Sequence, residues 1–242
     1  MSVQDLLSKV MKAHGGLELW NRYSKVEVGA ITGGGLFPLK GLMPDLSRRT
    51  MTVWLREERA SVRPFGAADQ RTDFTPNRLA IEKLGGHIVA EWDSPASTFV
   101  GHGLGTGWAP VHRAYFNGYA MWTYLNTPFL LQMRGVEVEE EESWKNDDGE
   151  IWRVVRAYFP GTLVTHSRIQ RFYFGDDGLL RRHDYNVDVA GSFAAAQLVS
   201  KYIEADGIKL PSMRRAYAMG PDRRPILELL MVAIDLSDPR YS

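Results

Sequence analysis

Two histidines, a tyrosine and an arginine fall close together in the segment 166–189, and their types suit acid–base chemistry. The turn Gly175-Asp176-Asp177-Gly178 marks a β-hairpin. With a symmetric loop, Phe174 faces Leu179, Gln170 lies opposite His183, Arg168 opposite Tyr185, and His166 opposite Val187. Side chains alternate along a strand, so all of these share one face with Phe172 and Val189. The other face carries Arg171, Arg182, Asp184, Asn186 and Asp188, is the more charged, and should meet solvent. His166, Arg168, Gln170, Arg181, His183 and Tyr185 therefore belong among apolar residues on the covered face. A buried polar group left unpaired costs about 1–3 kcal/mol. Such a cluster needs internal partners, water or a ligand. A bulge that moved the register by one would bring Asp184 inward instead.

If the cluster does chemistry, it is acid–base catalysis. Imidazole titrates near neutrality, so His166 or His183 is the candidate base. Tyr185 would donate a proton or hydrogen bond, and Arg168 would hold an anion or developing oxyanion. That set suits an isomerase, lyase, cyclase or hydrolase acting on a small apolar molecule. His183 and its neighbour Asp184 point to opposite faces and form no local dyad. Two histidines without an inward carboxylate make a poor metal site, so neither metal nor cofactor is expected. The sequence holds no nucleophile elbow, phosphate loop, zinc-protease motif or calcium loop. The glycines of Gly101–Gly107 are wrongly spaced for a dinucleotide fingerprint and read as a loop.

Something must cover the polar cluster, and the longest apolar helical pattern is 111–125. Val111, Tyr115, Tyr119 (or Gly118), Trp122, Leu125 (or Asn126) and Phe129 recur every three to four residues, a helical stripe. Arg113, Asn117, Met121 and Tyr124 lie opposite, a weakly polar side. Pro128 should end the helix near Leu125 or Asn126. The helix is either a core element on a sheet or a plug over a cavity. As a plug, Tyr115, Tyr119, Trp122, Asn126 and Phe129 would contact the ligand, with Gln170 and Phe172 opposite.

The remainder alternates with period two, as strands do. Candidate strands are 25–32, 36–43, 47–56, 59–64, 69–75, 78–84 and 87–92, then 135–143, 150–159, 166–174, 179–189, 194–204, 208–219 and 226–235. Gly33-Gly34-Gly35 and Gly85-Gly86 sit where hairpins need positive φ, and Pro38, Pro44 and Pro64 should fall at strand ends. The acidic run Glu137–Glu142 reads as a solvated strand edge. Strands do not alternate with helices, which argues against a parallel α/β sheet. A mainly β, α+β protein follows, with strand-rich halves 25–92 and 135–235 joined by 93–131.

Lys+Arg and Asp+Glu both number 29 in 242 residues, and this balance argues against nucleic acid as a partner. Without cysteine there is no disulfide and no thiolate chemistry. No stretch reaches the roughly 20 apolar residues of a membrane span. The first residues lack the basic and apolar regions of a secretory signal, so a cytoplasmic location is expected.

The opening Ser2–Ala13 amphipathic helix, then Ala13-His14-Gly15-Gly16-Leu17-Glu18-Leu19-Trp20, then strands from Lys25, a helix at 111–125 and a second meander resemble the LolA/LolB-like (bacterial lipoprotein-carrier) superfamily. The resemblance spans nearly the whole chain. It implies a single domain, 1–242: an antiparallel up-and-down half-barrel of about 11 or more strands, with an N-terminal helix and a central helix plugging the concave face. It also implies a cavity for a hydrophobic small molecule or lipid.

Overall fold

The computed structural model describes residues 2–43 and 45–242, without the side chain of Asp45; Pro44 lies outside it. Helix α1 (Val3–Ala13) opens the chain. Its N-terminus is closed by a capping box, Ser2 with Asp5. It buries Leu6, Leu7, Val10 and Met11. At its end Gly15 has φ +114°, and a Cβ there would lie 2.4 Å from the Gly207 carbonyl oxygen. Only glycine lets this helix end dock on the later turn. The single turn α2 (Leu17–Trp20) buries Trp20.

The strands are β1 (Lys25–Gly33), β2 (Asp45–Trp54), β3 (Arg59–Arg63), β4 (Gln70–Thr75), β5 (Arg78–Lys83) and β6 (Ile88–Asp93), then β7 (Glu137–Lys145), β8 (Ile151–Tyr158), β9 (Ile169–Phe174), β10 (Leu180–Val187), β11 (Phe193–Ala205), β12 (Ile208–Met219) and β13 (Pro225–Tyr241). Among the described residues they form one antiparallel, open sheet of 13 strands, in the order β6-β5-β4-β3-β2-β1-β13-β12-β11-β10-β9-β8-β7. Two meanders meet where the first strand pairs with the last, Val26 opposite Tyr241.

This order fixes the central helix. Strands β6 and β7 are consecutive in the chain but occupy opposite edges of the sheet. Residues 94–136 must therefore cross a whole face. Helix α4 (Pro110–Asn126) makes the crossing, about 25 Å long at the usual rise, and ends where Pro128 requires. It sits tightly: a Cβ on Gly118 would lie 2.3 Å from the Phe74 ring.

Three expectations need correction. Residues 36–43 are not a strand. Helix α3 (Leu36–Leu39) replaces it, with Leu36 and Phe37 buried side by side. The glycine run serves close approach, because Gly34 lies against the backbone of Met231 and Val232. Second, the hairpin loop is offset, placing Leu180 opposite Phe174, and a bulge at Arg181 adds another shift, placing His183 opposite Phe172. The two one-residue shifts sum to an even number, so His183 and Tyr185 stay inward. Leu180 takes the inward place expected for Leu179, and Arg181 turns out to Asp177 and Glu150.

Third, the outer face of this hairpin is not all solvated. Arg182 and Asp184 are 2% and 3% exposed and bond to each other at 2.6 Å. Tyr173 donates to Asp184 at 2.7 Å, and Trp144, Trp152 and Val154 complete a small outer cluster. Arg182 also reaches the Arg223 carbonyl in the β12–β13 connection, which covers this patch. The acidic run does lie on an edge strand, with Glu139, Glu140 and Glu141 bridged to Arg156, Arg153 and Arg171.

Candidate functional site

A row of polar side chains crosses the concave face beneath α4. Gln170 on β9, His183 on β10, Gln197 on β11 and Arg214 on β12 are each at most 1% exposed. The pairing register explains the row. His183 is opposite Gln197, and Arg214 neighbours Val199 on one side and Ile234 on the other.

The hydrogen bonds have a direction. Arginine only donates. Arg214 donates to the Gln197 carbonyl oxygen at 2.9 Å and to the Tyr124 main-chain oxygen at 3.0 Å. The Gln197 amide donates to the Tyr185 hydroxyl at 3.2 Å. The Tyr185 and Tyr124 hydroxyls are 2.7 Å apart, and Tyr124 lies 2.7 Å from His166 Nε2. Every proton is placed if Tyr185 donates to Tyr124 and Tyr124 to His166. His166 Nε2 is then an acceptor and its Nδ1 carries the hydrogen. His183 donates through Nε2 to Gln170 at 2.6 Å, and Gln170 donates on to the Ser167 carbonyl at 2.8 Å. His166 stacks on Tyr185 (4.0 Å between centroids) and His183 on Phe172 (4.2 Å).

Burial sets the protonation of this cluster. It pushes His166 down to about 3. His183 is pushed well below its ordinary value by burial first, then by the charges of His166 and Arg214. Both imidazoles are neutral at physiological pH. Burial raises Tyr124 to about 12 and Tyr185 well above its ordinary value, so both keep their protons. Five polar atoms in or beside the cluster have no partner among the described residues: His166 Nδ1, His183 Nδ1, Tyr119 Oη, Asn126 Oδ1 and Arg214 Nε.

His166, His183, Tyr185, Gln170 and Phe172 thus come together, as the hairpin pattern implied. Arg168 does not join them: β9 starts one residue later, and Arg168 is an exposed loop residue whose Nε meets the Phe159 carbonyl at 3.5 Å. The cation of the cluster is Arg214 instead. Its signal was in the sequence, since alternation anchored at Ile208 and Leu210 puts Arg214 on the inner face. Tyr124 and Gln197, which the hairpin pattern does not reach, complete the cluster.

A cavity of about 30 Å³ lies between α4 and the centre of the sheet. The helix contributes Phe116, Asn117, Ala120, Met121 and Tyr124, and Phe37 of α3 with β1, β2, β3 and β13 closes the rest. The cavity-facing side is the weakly polar one. The aromatic stripe packs elsewhere: Tyr115 against Phe74, Trp122 donating to the Trp54 and Glu57 carbonyls, and Phe129 stacked on Trp20. Asn126 donates back to the Trp122 carbonyl. Tyr119 packs edge-on to His166 and so belongs to the polar wall.

On the far side of α4, the carboxylate of Glu58 in the β2–β3 turn accepts the Val164 amide at 3.1 Å through both oxygens. This contact ties the first meander to the 159–168 loop that carries His166. Burial raises Glu58 to about 8. Among the described residues no group of histidines and carboxylates could hold a metal ion, and no helix is long and apolar enough to cross a membrane.

No protein-family model matches the sequence. No curated protein matches it either. Solved structures do. A LolA superfamily protein from Nitrosomonas europaea aligns with a TM-score of 0.54 at 11% identity, over 100% of this chain and 94% of that one. A DUF1329 family protein from Desulfovibrio piger aligns with a TM-score of 0.54 at 11% identity, over 100% and 93%. Identity that low speaks to fold alone. With the open antiparallel sheet, the opening helix and the helix laid across the concave face, the chain has the LolA-like fold.

Proposed function

We propose that the protein binds a hydrophobic small molecule or lipid between α4 and the concave face of the sheet. The observation that carries this reading is the cavity under α4, apolar on most sides and bounded by Tyr124 of the polar wall. At about 30 Å³ it has room for roughly one water, whereas ligand pockets run to about 300 Å³ or more. Loading therefore requires α4 to move outward. Its two connections, 94–109 and 127–136, contain no strand of the sheet, so α4 can shift without breaking a ladder. Met51 and Met121 on the cavity wall are unbranched and adapt readily to a guest. Native mass spectrometry of protein purified without heat or detergent tests the reading. A bound apolar molecule, released by organic solvent, is expected. The bare chain mass, together with no binding of dodecan-1-ol or dodecanoate, would overturn it.

A cofactor-independent acid–base enzyme is the second reading. It is favoured by the 2.7 Å contacts joining His166, Tyr124 and Tyr185. In it His166 or His183 is the base, Tyr185 the donor, and Arg214 takes the anion-holding role assigned to Arg168. Incubating any co-purified ligand with the protein tests it: conversion that His166→Asn abolishes, with binding retained, supports catalysis, and an unchanged ligand overturns it.

A further inference from the structure

Arg214 is 1% exposed, and no carboxylate among the described residues pairs with it. Its partners are neutral: the Gln197 side chain, the Tyr124 carbonyl and the Tyr124 ring, 4.9 Å from the guanidinium carbon. Nε has no partner among the described residues. Arg182 gives an internal comparison. It is as deeply buried, yet Asp184 sits at 2.6 Å and matches its charge. Arginine does not shed its proton in proteins, and a buried charge without a counter-charge is costly. A charge kept in that state needs something that recovers the cost.

The position of Arg214 indicates what that is. Its neighbour across the ladder, Ile234, lines the cavity, and so does Tyr124, which shields it. Displacing α4 to admit a guest withdraws the Tyr124 carbonyl from Arg214. A neutral guest would leave the cation poorer in acceptors than before. A carboxylate would replace the lost carbonyl with two charged oxygens, and Nε with one terminal nitrogen forms the fork that a carboxylate fits.

We propose that the concave site selects an apolar molecule bearing one carboxylate, which pairs with Arg214 while its apolar body fills the space under α4. The idea rests on the ligand-binding reading above and names the ligand class. Tyr124, Tyr185 and Gln197 then become the polar surroundings of a bound acid group. Within the polar wall Arg214 is the cation available to an anionic head, because His166 and His183 are uncharged.

Dodecanoate and dodecan-1-ol, matched in chain length, separate this inference from the reading beneath it. Isothermal titration of both into the whole protein is expected to favour dodecanoate by roughly tenfold or more, the scale of a hydrogen bond to a charged group. Arg214→Met should erase the preference while keeping dodecan-1-ol binding. Equal binding of the two would overturn the inference and leave the reading intact; binding of neither would overturn both. A preference that survives in Arg214→Met would place the anion elsewhere, for example on Arg49 at the cavity wall, and would also overturn the inference. A readout on the unmutated protein guards against a variant that does not fold. The ¹³C signal of carboxyl-labelled dodecanoate should titrate at lower pH when bound than when free. An unchanged titration would put the head group in solvent and refute the assignment.

Discussion

The guanidinium of Arg214 lies over the ring of Tyr124 and donates to that residue's own carbonyl at 3.0 Å. One residue belongs to the sheet and the other to the helix that crosses it, so this contact couples the polar wall to the position of α4. Several consequences can be measured.

Tyr124→Phe removes the hydroxyl that bridges His166 and Tyr185 and leaves buried polar groups unmatched. Urea unfolding is expected to show a loss of about 1–3 kcal/mol. Tyr185→Phe should cost a similar amount. Combining the two should cost less than the sum, because they share one chain of bonds. Full additivity would show that the chain is not coupled.

Gly118→Ala should destabilise. The new Cβ would stand 2.3–2.8 Å from ring and Cβ atoms of Phe74. Overpacking of this kind costs about 1–3 kcal/mol, read as a lower midpoint in thermal or urea unfolding. A neutral result would mean that α4 does not sit on β4 at this distance.

Stability should depend on pH through the buried histidines. Burial holds His14 at about 4, His166 at about 3 and His183 well below its ordinary value, while in the unfolded chain all three titrate near 6.5. Between these limits the unfolded state binds more protons, so stability falls as pH drops below about 6.5. Glu58 works the other way. Raised to about 8, it holds its proton in the folded state, and stability is lost as pH climbs from about 4.5 through 8. Urea titrations across pH 5–8.5 should give a maximum near 6.5. Glu58→Gln should flatten the alkaline side, and His14→Asn should reduce the acidic slope by about one proton.

Glu58 also clasps the 159–168 loop through the Val164 amide. Glu58 keeps its proton below about pH 8, so this is a neutral hydrogen bond, and removing it leaves the Val164 donor unmatched at a cost of about 1–3 kcal/mol. Glu58→Ala should therefore speed hydrogen exchange at the Val164 amide by roughly tenfold or more, with core amides of β9 unaffected. Unchanged exchange at Val164 would remove the clasp from the account.

Much of this architecture is legible in the sequence because burial enforces alternation. The second-half strands, the capping box on Ser2 and the Pro128 stop are local patterns that the fold obeys. What escaped notice is non-local. Nothing near residue 241 announces that β13 runs to Tyr241 and pairs with β1, yet this pairing joins the two meanders. The α3 turn was hidden because Leu36 and Phe37 are buried together, not alternately. Within the site, His183 and Tyr185 were placed correctly only because the offset loop and the bulge at Arg181 cancel in parity. Tyr124 was assigned to the weaker face of its helix, and that face lines the cavity. Arg214 shows the limit most clearly. Alternation puts it inside, but sequence alone does not say that no acid accompanies it there.

The central claim is that the space between α4 and the sheet receives a hydrophobic guest, and the methionines report on it directly. Met51 and Met121 line the cavity, whereas Met43 is 81% exposed at the surface. Titrating dodecanoate into protein with ¹³C-labelled methionine methyls, followed by NMR, should shift the Met51 and Met121 signals in step and saturably, while Met43 stays still. Shifts confined to Met43, or no shift at concentrations where dodecanoate remains monomeric, would contradict a binding site under the helix.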